Sequence, residues 1–246
     1  MSESPLDLLA IAPHPDDAEL LCGGALARSA ARGRRVGILD LTRGETGTKG
    51  TPGRRSEEAT AAAEILGVEV RENAGMTDAG LFNTDATRTL LVGILRRLKP
   101  RVVVLPFLTG RHPDHRISAE LGRDACFLSG LSNYGGEDLR ALQPHRPTKV
   151  IHAMAYREDP VKPTFVVGLT EEEFGRKLDA IRCYSSQFSG ATKAGELFPT
   201  GQSLLELVES QGRHYGSLVR RPFGEPFWTA ETIEIDDLTA LGVYSL

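Results

Sequence analysis

Apolar strand candidates near 6–12, 35–41, 68–72 and 101–106 alternate with helical stretches near 18–32, 55–66, 84–98 and 116–128. Such alternation predicts βαβ units, a parallel sheet and right-handed connections. Gly33, Gly67 and Pro100 stand where these helices should stop. The second half is less regular. Residues 128–147 read as loop, 150–156 and 165–169 as strands, and 170–183 and 203–219 as helices. Thr170 and Glu173 fit a capping box, and the tail after Arg220 reads as an extension packed on the core or on a neighbouring subunit. The expected fold class is α/β: a doubly wound, Rossmann-like, mostly parallel sheet with helices on both faces and a less regular C-terminal extension. One domain is expected over 1–246, with a core of about 1–170 and C-terminal helices and tail of about 171–246.

Composition narrows the function classes. With 246 residues, 40% hydrophobic and 25% charged, the chain should fold as an ordinary globular protein. Its formal charge of −4 gives no global attraction to nucleic acid or anionic lipid. Cys22, Cys126 and Cys183 are odd in number and widely spaced, which argues against a disulfide framework or thiolate metal site and fits a reducing cytoplasm. No apolar stretch approaches the roughly eighteen residues of a membrane span, so neither export nor a membrane partner is expected. Gly44, Gly47, Gly50 and Gly53 suggest a mobile loop over the carboxyl end of the second strand. No Gly-Lys-Ser/Thr follows them, which excludes a Walker loop.

The chemistry is carried by two clusters, each at the exit of an apolar block: His14-Pro15-Asp16-Asp17 and His112-Pro113-Asp114-His115. In a sheet of order 3-2-1-4, strands one and four are neighbours whose helices leave on opposite faces, so both clusters would meet in one crevice. His14, Asp17 and His115 then supply the three ligands of a catalytic zinc site. Asp16 would stand beside them as general base. His112 could donate a proton or hydrogen bond to a tetrahedral intermediate or leaving amine, with Asp114 orienting its ring. Each cluster taken singly is equally a turn followed by a helix cap, and only their joint placement favours hydrolysis of an amide-like bond.

At these residues the chain resembles the LmbE-like, or PIG-L, family of zinc-dependent N-acetylglucosamine deacetylases. Ala12 to Glu19 with Gly23-Gly24 is similar to the family's first motif, and His112 to His115 to its second. The resemblance implies zinc on His14, Asp17 and His115, Asp16 as base, and His112 as electrostatic or acid partner. Arg43 to Pro52 with Arg55, and Ala180 to Phe188, resemble the branch that makes bacillithiol. That branch implies deacetylation of N-acetylglucosaminyl-malate to glucosaminyl-malate and acetate. It also implies a homo-oligomer, with a hexamer among the assemblies allowed. Fe2+ or another divalent ion remains open beside zinc.

An anionic aglycone gives arginines near the crevice a purpose, and Arg55 is the first candidate. Surface ion pairing with Glu57 and Glu58 is the alternative. Arg157 is a further candidate, against pairing with Glu158 or Asp159. The family's mobile oxyanion tyrosine could be Tyr184 or Tyr215, and either could equally pack in the core. Glu19, Asp40 and Glu45 could support ligands or face solvent, and Cys22 should pack as a small apolar residue. Rival functions are a sibling amidohydrolase (an inositol-conjugate deacetylase, thiol-conjugate amidase or chitooligosaccharide deacetylase) and a non-catalytic sugar- or nucleotide-binding protein. The absence of Gly-x-Gly-x-x-Gly after the first strand speaks against the nucleotide-binding form.

Overall fold

The computed structural model describes residues 4–47, 49–154, 161–188 and 203–243. Its strands are β1 (Leu8–Ala12), β2 (Val36–Thr42), β3 (Val70–Met76), β4 (Val102–Pro106), β5 (Lys149–Ala153), β6 (Phe165–Leu169) and β7 (Phe223–Trp228). Its helices are α1 (Asp17–Ala31), α2 (Pro52–Leu66), α3 (Asp85–Leu98), α4 (Pro113–Leu128), α5 (Glu137–Ala141), α6 (Glu171–Cys183), α7 (Ser185–Phe188) and α8 (Leu204–Leu218).

All seven strands form one sheet in the order β3-β2-β1-β4-β5-β7-β6. Strands β1 to β5 are parallel, whereas β7 is antiparallel to both its neighbours. The central strands β1 and β4 are unbroken apolar runs because both faces of the sheet are covered there. Leu9 and Ile11 of β1 enter one core with α3 and α4, while Ala10 and Ala12 enter a second with α1, α2 and α6. Fully burying side chains such as Leu9, Leu39 and Leu41 contributes about 1.5–3 kcal/mol each.

Several boundaries depart from expectation, each for a local reason. Helix α4 starts three residues earlier than the apolar pattern suggested, because His112 caps it and Pro113 occupies its first turn. Helix α2 likewise starts early, at Pro52 behind a Thr51 cap. Strand β3 continues to Met76 through polar residues, since it is the edge of the sheet. The 128–147 segment contains α5. The tail does more than pack on the core: Phe223–Trp228 enters the sheet between β5 and β6. A Gly-Glu-Pro interruption hid this strand from an apolar-block reading. The capping box at Thr170 and Glu173 forms as expected. The glycine-rich loop is pinned: Thr46 N donates to Asp78 Oδ2 (2.8 Å), and Lys49 O accepts from Gln187 Nε2 (2.7 Å).

Candidate active site

The parallel pairing of β1 with β4 brings the two clusters to one place, since both strands end at the same edge of the sheet. After β1 the chain turns sharply. Asp17 N donates to His14 O (3.2 Å), and Asp17 Oδ2 accepts from His14 N (3.2 Å). Asp16, the residue before α1, has φ 114° and ψ −28°. That left-handed conformation costs a non-glycine residue about 1–3 kcal/mol. Arg55 of α2 braces it, donating through Nη2 to both Pro15 O (2.7 Å) and Asp16 Oδ2 (2.8 Å).

Across the crevice, His112 Nδ1 accepts the Asp114 amide (3.2 Å) as the cap of α4. In a neutral ring this leaves the proton on Nε2, a donor. Asp17 Oδ2 lies 3.0 Å from His14 Nδ1 and 3.2 Å from His115 Nε2. On the other side of its ring, His14 Nε2 lies 3.0 Å from Asp78 Oδ1 and 3.3 Å from Asp114 Oδ2. Asp114 is buried and also accepts the amides of Ala79 (2.8 Å) and Leu81 (3.4 Å).

The electrostatics follow from four carboxylates around one imidazole. Burial disfavours a charged His14, but the hydrogen bond and charge of Asp17, with Asp16 and Asp78 behind it, raise its pKa to about 9. Burial and the charge of Asp17 push Asp16 up to about 8, against the pull of Arg55 and His14. Burial opposes ionisation of Asp17 too, yet His115 and His14 outweigh it and hold the group far below the usual carboxylate range. His112 is lowered by burial and by the charge of His14.

This donor set fits a divalent cation. Ligand atoms of His14, Asp17 and His115 lie within 4.8 Å of one another. Three ligands around a tetrahedral ion at about 2.0–2.1 Å would be roughly 3.3 Å apart. A second grouping, His14, His112 and Asp114, is equally compact. It is the poorer fit, because Asp114 already accepts two amides and His112 Nδ1 is engaged as a cap. In the first grouping, His14 Nδ1 is directed inward and Nε2–H can donate to Asp78 or Asp114, the carboxylate support usual for a metal-bound imidazole.

Residues 9–126, which span both clusters, match the PIG-L family, described as GlcNAc-PI de-N-acetylase. The diacetylchitobiose deacetylase of Thermococcus kodakarensis is 34% identical over 194 residues, covering 74% of this chain and 70% of that one. This chain belongs to the PIG-L family of deacetylases. The crystal structure of the conserved protein TT1542 from Thermus thermophilus superposes with a TM-score of 0.81 at 38% identity, covering 94% of this chain and 98% of that one. A 1D-myo-inositol 2-acetamido-2-deoxy-alpha-D-glucopyranoside deacetylase of Catenulispora acidiphila is 28% identical over 59% of each chain.

Within this PIG-L site, several residues do something other than the motifs suggested. Arg55 is buried and spent on Asp16, Pro15 and Gly44 rather than open to substrate, and Glu58 pairs with Arg54 instead. The Asp114 carboxylate lies against His14, and it is the Asp114 amide, donating to Nδ1, that holds the ring of His112. Tyr184 is wholly buried, with its hydroxyl donating to Glu19 Oε1 (2.9 Å), so it does not face the crevice. Arg71 binds Glu19 and grips Asp40 through Nε (2.9 Å) and Nη2 (3.0 Å), which places both acids in a buried network. Tyr215 lies on α8, packed over β7, with its ring edge-on to His214. Arg157 lies outside the described residues. Asp78 was missed. The apolar block of β3 stops at residue 72, four residues before the strand does, so Asp78 did not read as standing at a strand's carboxyl end.

Proposed function

We propose that this protein is a divalent-metal-dependent N-deacetylase, with zinc on His14, Asp17 and His115, that removes acetyl from an N-acetylglucosaminyl conjugate, most specifically N-acetylglucosaminyl-malate in bacillithiol synthesis. The observation that carries the reading is the convergence of those three donor atoms beside an Asp16 carboxylate that is held by Arg55 and not by the ligand set. When bound, the ion supplies Lewis acidity toward the amide carbonyl and toward water. Asp16 accepts the proton of the water that adds to the acetyl carbon. Arg55 fixes the direction of that carboxylate. His112 donates a hydrogen bond from Nε2 to the tetrahedral oxygen, and Asp16 returns the proton it took from water to the departing amine, which leaves with it as the C–N bond breaks and acetate forms. Asp78 and Asp114 hold His14 by its outer nitrogen.

The malate branch draws support from a contact between the two segments that resemble it. Lys49 O accepts from Gln187 Nε2 (2.7 Å), and Arg54 Nη2 donates to Ser185 Oγ (2.9 Å). The loop and the late segment are thus in contact. A second reading, deacetylation of a chitooligosaccharide, is favoured by the identity to the Thermococcus enzyme. We place the protein in the cytoplasm as a homo-oligomeric single domain.

Acetate release from N-acetylglucosaminyl-malate, its inositol analogue and diacetylchitobiose, by metal-stripped protein before and after adding zinc or Fe2+, tests the reading. Metal-restored release that favours malate supports it. Preference for chitobiose or inositol keeps the chemistry and changes the aglycone, and no release from any of the three overturns it.

A further inference from the structure

The helix that carries Asp16 and Asp17 at its start is broken. Cys22 has φ −147° and ψ 18° inside α1, which divides the helix into a first turn bearing the site residues and a longer second segment. A break of this kind frees backbone amides that the helical ladder would otherwise satisfy. Two of them, Gly24 N and Ala25 N, donate to Glu225 Oε1 (2.9 Å) and Oε2 (2.7 Å). Glu225 comes from β7 and is 2% exposed; Lys177 of α6, 3% exposed, donates to its Oε1 at 2.6 Å. The approach is close. A Cβ on Gly24 would lie 2.3 Å from Leu169 Cδ1 and 3.2 Å from Glu225 Oε1. The carboxylate therefore caps the second segment in mid-helix, where the partial positive charge of its amides favours an anion.

We propose that Glu225 is a positioning residue for the catalytic centre. By capping the break at Cys22 it fixes the direction in which the first turn of α1 leaves the second segment, and with it the placement of Asp16 and Asp17. The inference rests on the deacetylase reading for its kinetic arm, whereas a cobalt(II) titration of the stripped protein tests it independently.

The variant E225Q/K177M removes both charges together and keeps a carbonyl oxygen near the amides. Its cobalt(II) affinity should weaken by about tenfold with an altered visible absorption spectrum, and its kcat should fall by about tenfold at nearly unchanged KM, the size of effect seen when support around a metal site is lost. R28Q, at the far end of α1, should leave all three readouts as in the wild type. E225D keeps the charge for Lys177 but retracts the carboxylate from the amides, and gives the same readouts should the double variant not fold. Wild-type cobalt affinity and spectrum in a folded Glu225 variant, whatever its melting temperature, would overturn the proposal. Should the wild type release acetate from no amide tested, the deacetylase reading falls while the cobalt arm still decides this one.

Discussion

Two groups of buried charge flank the break in α1, and their balance differs. In the crevice, Asp16, Asp17, Asp78 and Asp114 surround His14, with Arg55 as the one guanidinium in contact among the described residues. Behind the break, Glu225 meets Lys177 one to one, and both its oxygens also accept amides. The second group is complete as it stands. The first carries four carboxylates, whose charge raises the pKa of His14 and, after burial, adds to the rise at Asp16; a divalent cation would neutralise that charge. Balance thus separates a cluster that holds the fold from one arranged to receive something.

The comparison can be broken most forcefully at Asp16. D16N should lower kcat by about 10²–10⁴-fold, the usual contribution of a general base, with metal content by mass spectrometry unchanged. Preserved turnover in the loaded variant would remove Asp16 from that role. K177M probes the complete cluster. It leaves Glu225 buried without its cation and should cost about 3–5 kcal/mol in urea unfolding. Glu225 still accepts both amides, so kcat measured well below the melting temperature should hold; a loss of turnover without loss of stability would erase the distinction between the clusters.

Weaker effects sharpen the boundary. D78N removes the carboxylate nearest the outer nitrogen of His14 and should reduce metal affinity or activity by about 10–100-fold, which metal titration and steady-state kinetics would read. Y184F should cost only about 1 kcal/mol, the value of one buried hydrogen bond, and leave kcat alone. A tenfold drop in its kcat would mean that Tyr184 leaves the core to reach the reacting amide.

The sequence carried the front of the molecule well. Unbroken apolar blocks mark strands buried on both faces, and those blocks, with the rule that ligands gather where strand order reverses, were enough to bring residues 14–17 and 112–115 together. It carried the supporting contacts poorly. Arg55, Asp78 and Asp114 look like any charged residue near a helix or strand end, because which neighbour a side chain faces depends on loop paths that periodicity does not encode. Tyr184 and Glu225 were obscured for a related reason: a polar group inside a core is tolerated only with a partner, and here each partner comes from a distant part of the chain.

The insertion of β7 between β5 and β6 has a consequence for synthesis. The ribosome delivers β6 well before the strand that joins it to the rest of the sheet, so β6 must wait, edges unpaired, for Phe223–Trp228 to emerge. Glu225 arrives on that same strand. Gly24 and the carboxylate that receives its amide stand 201 positions apart, so α1 is synthesised long before its internal cap and must wait for β7 before the break at Cys22 is satisfied.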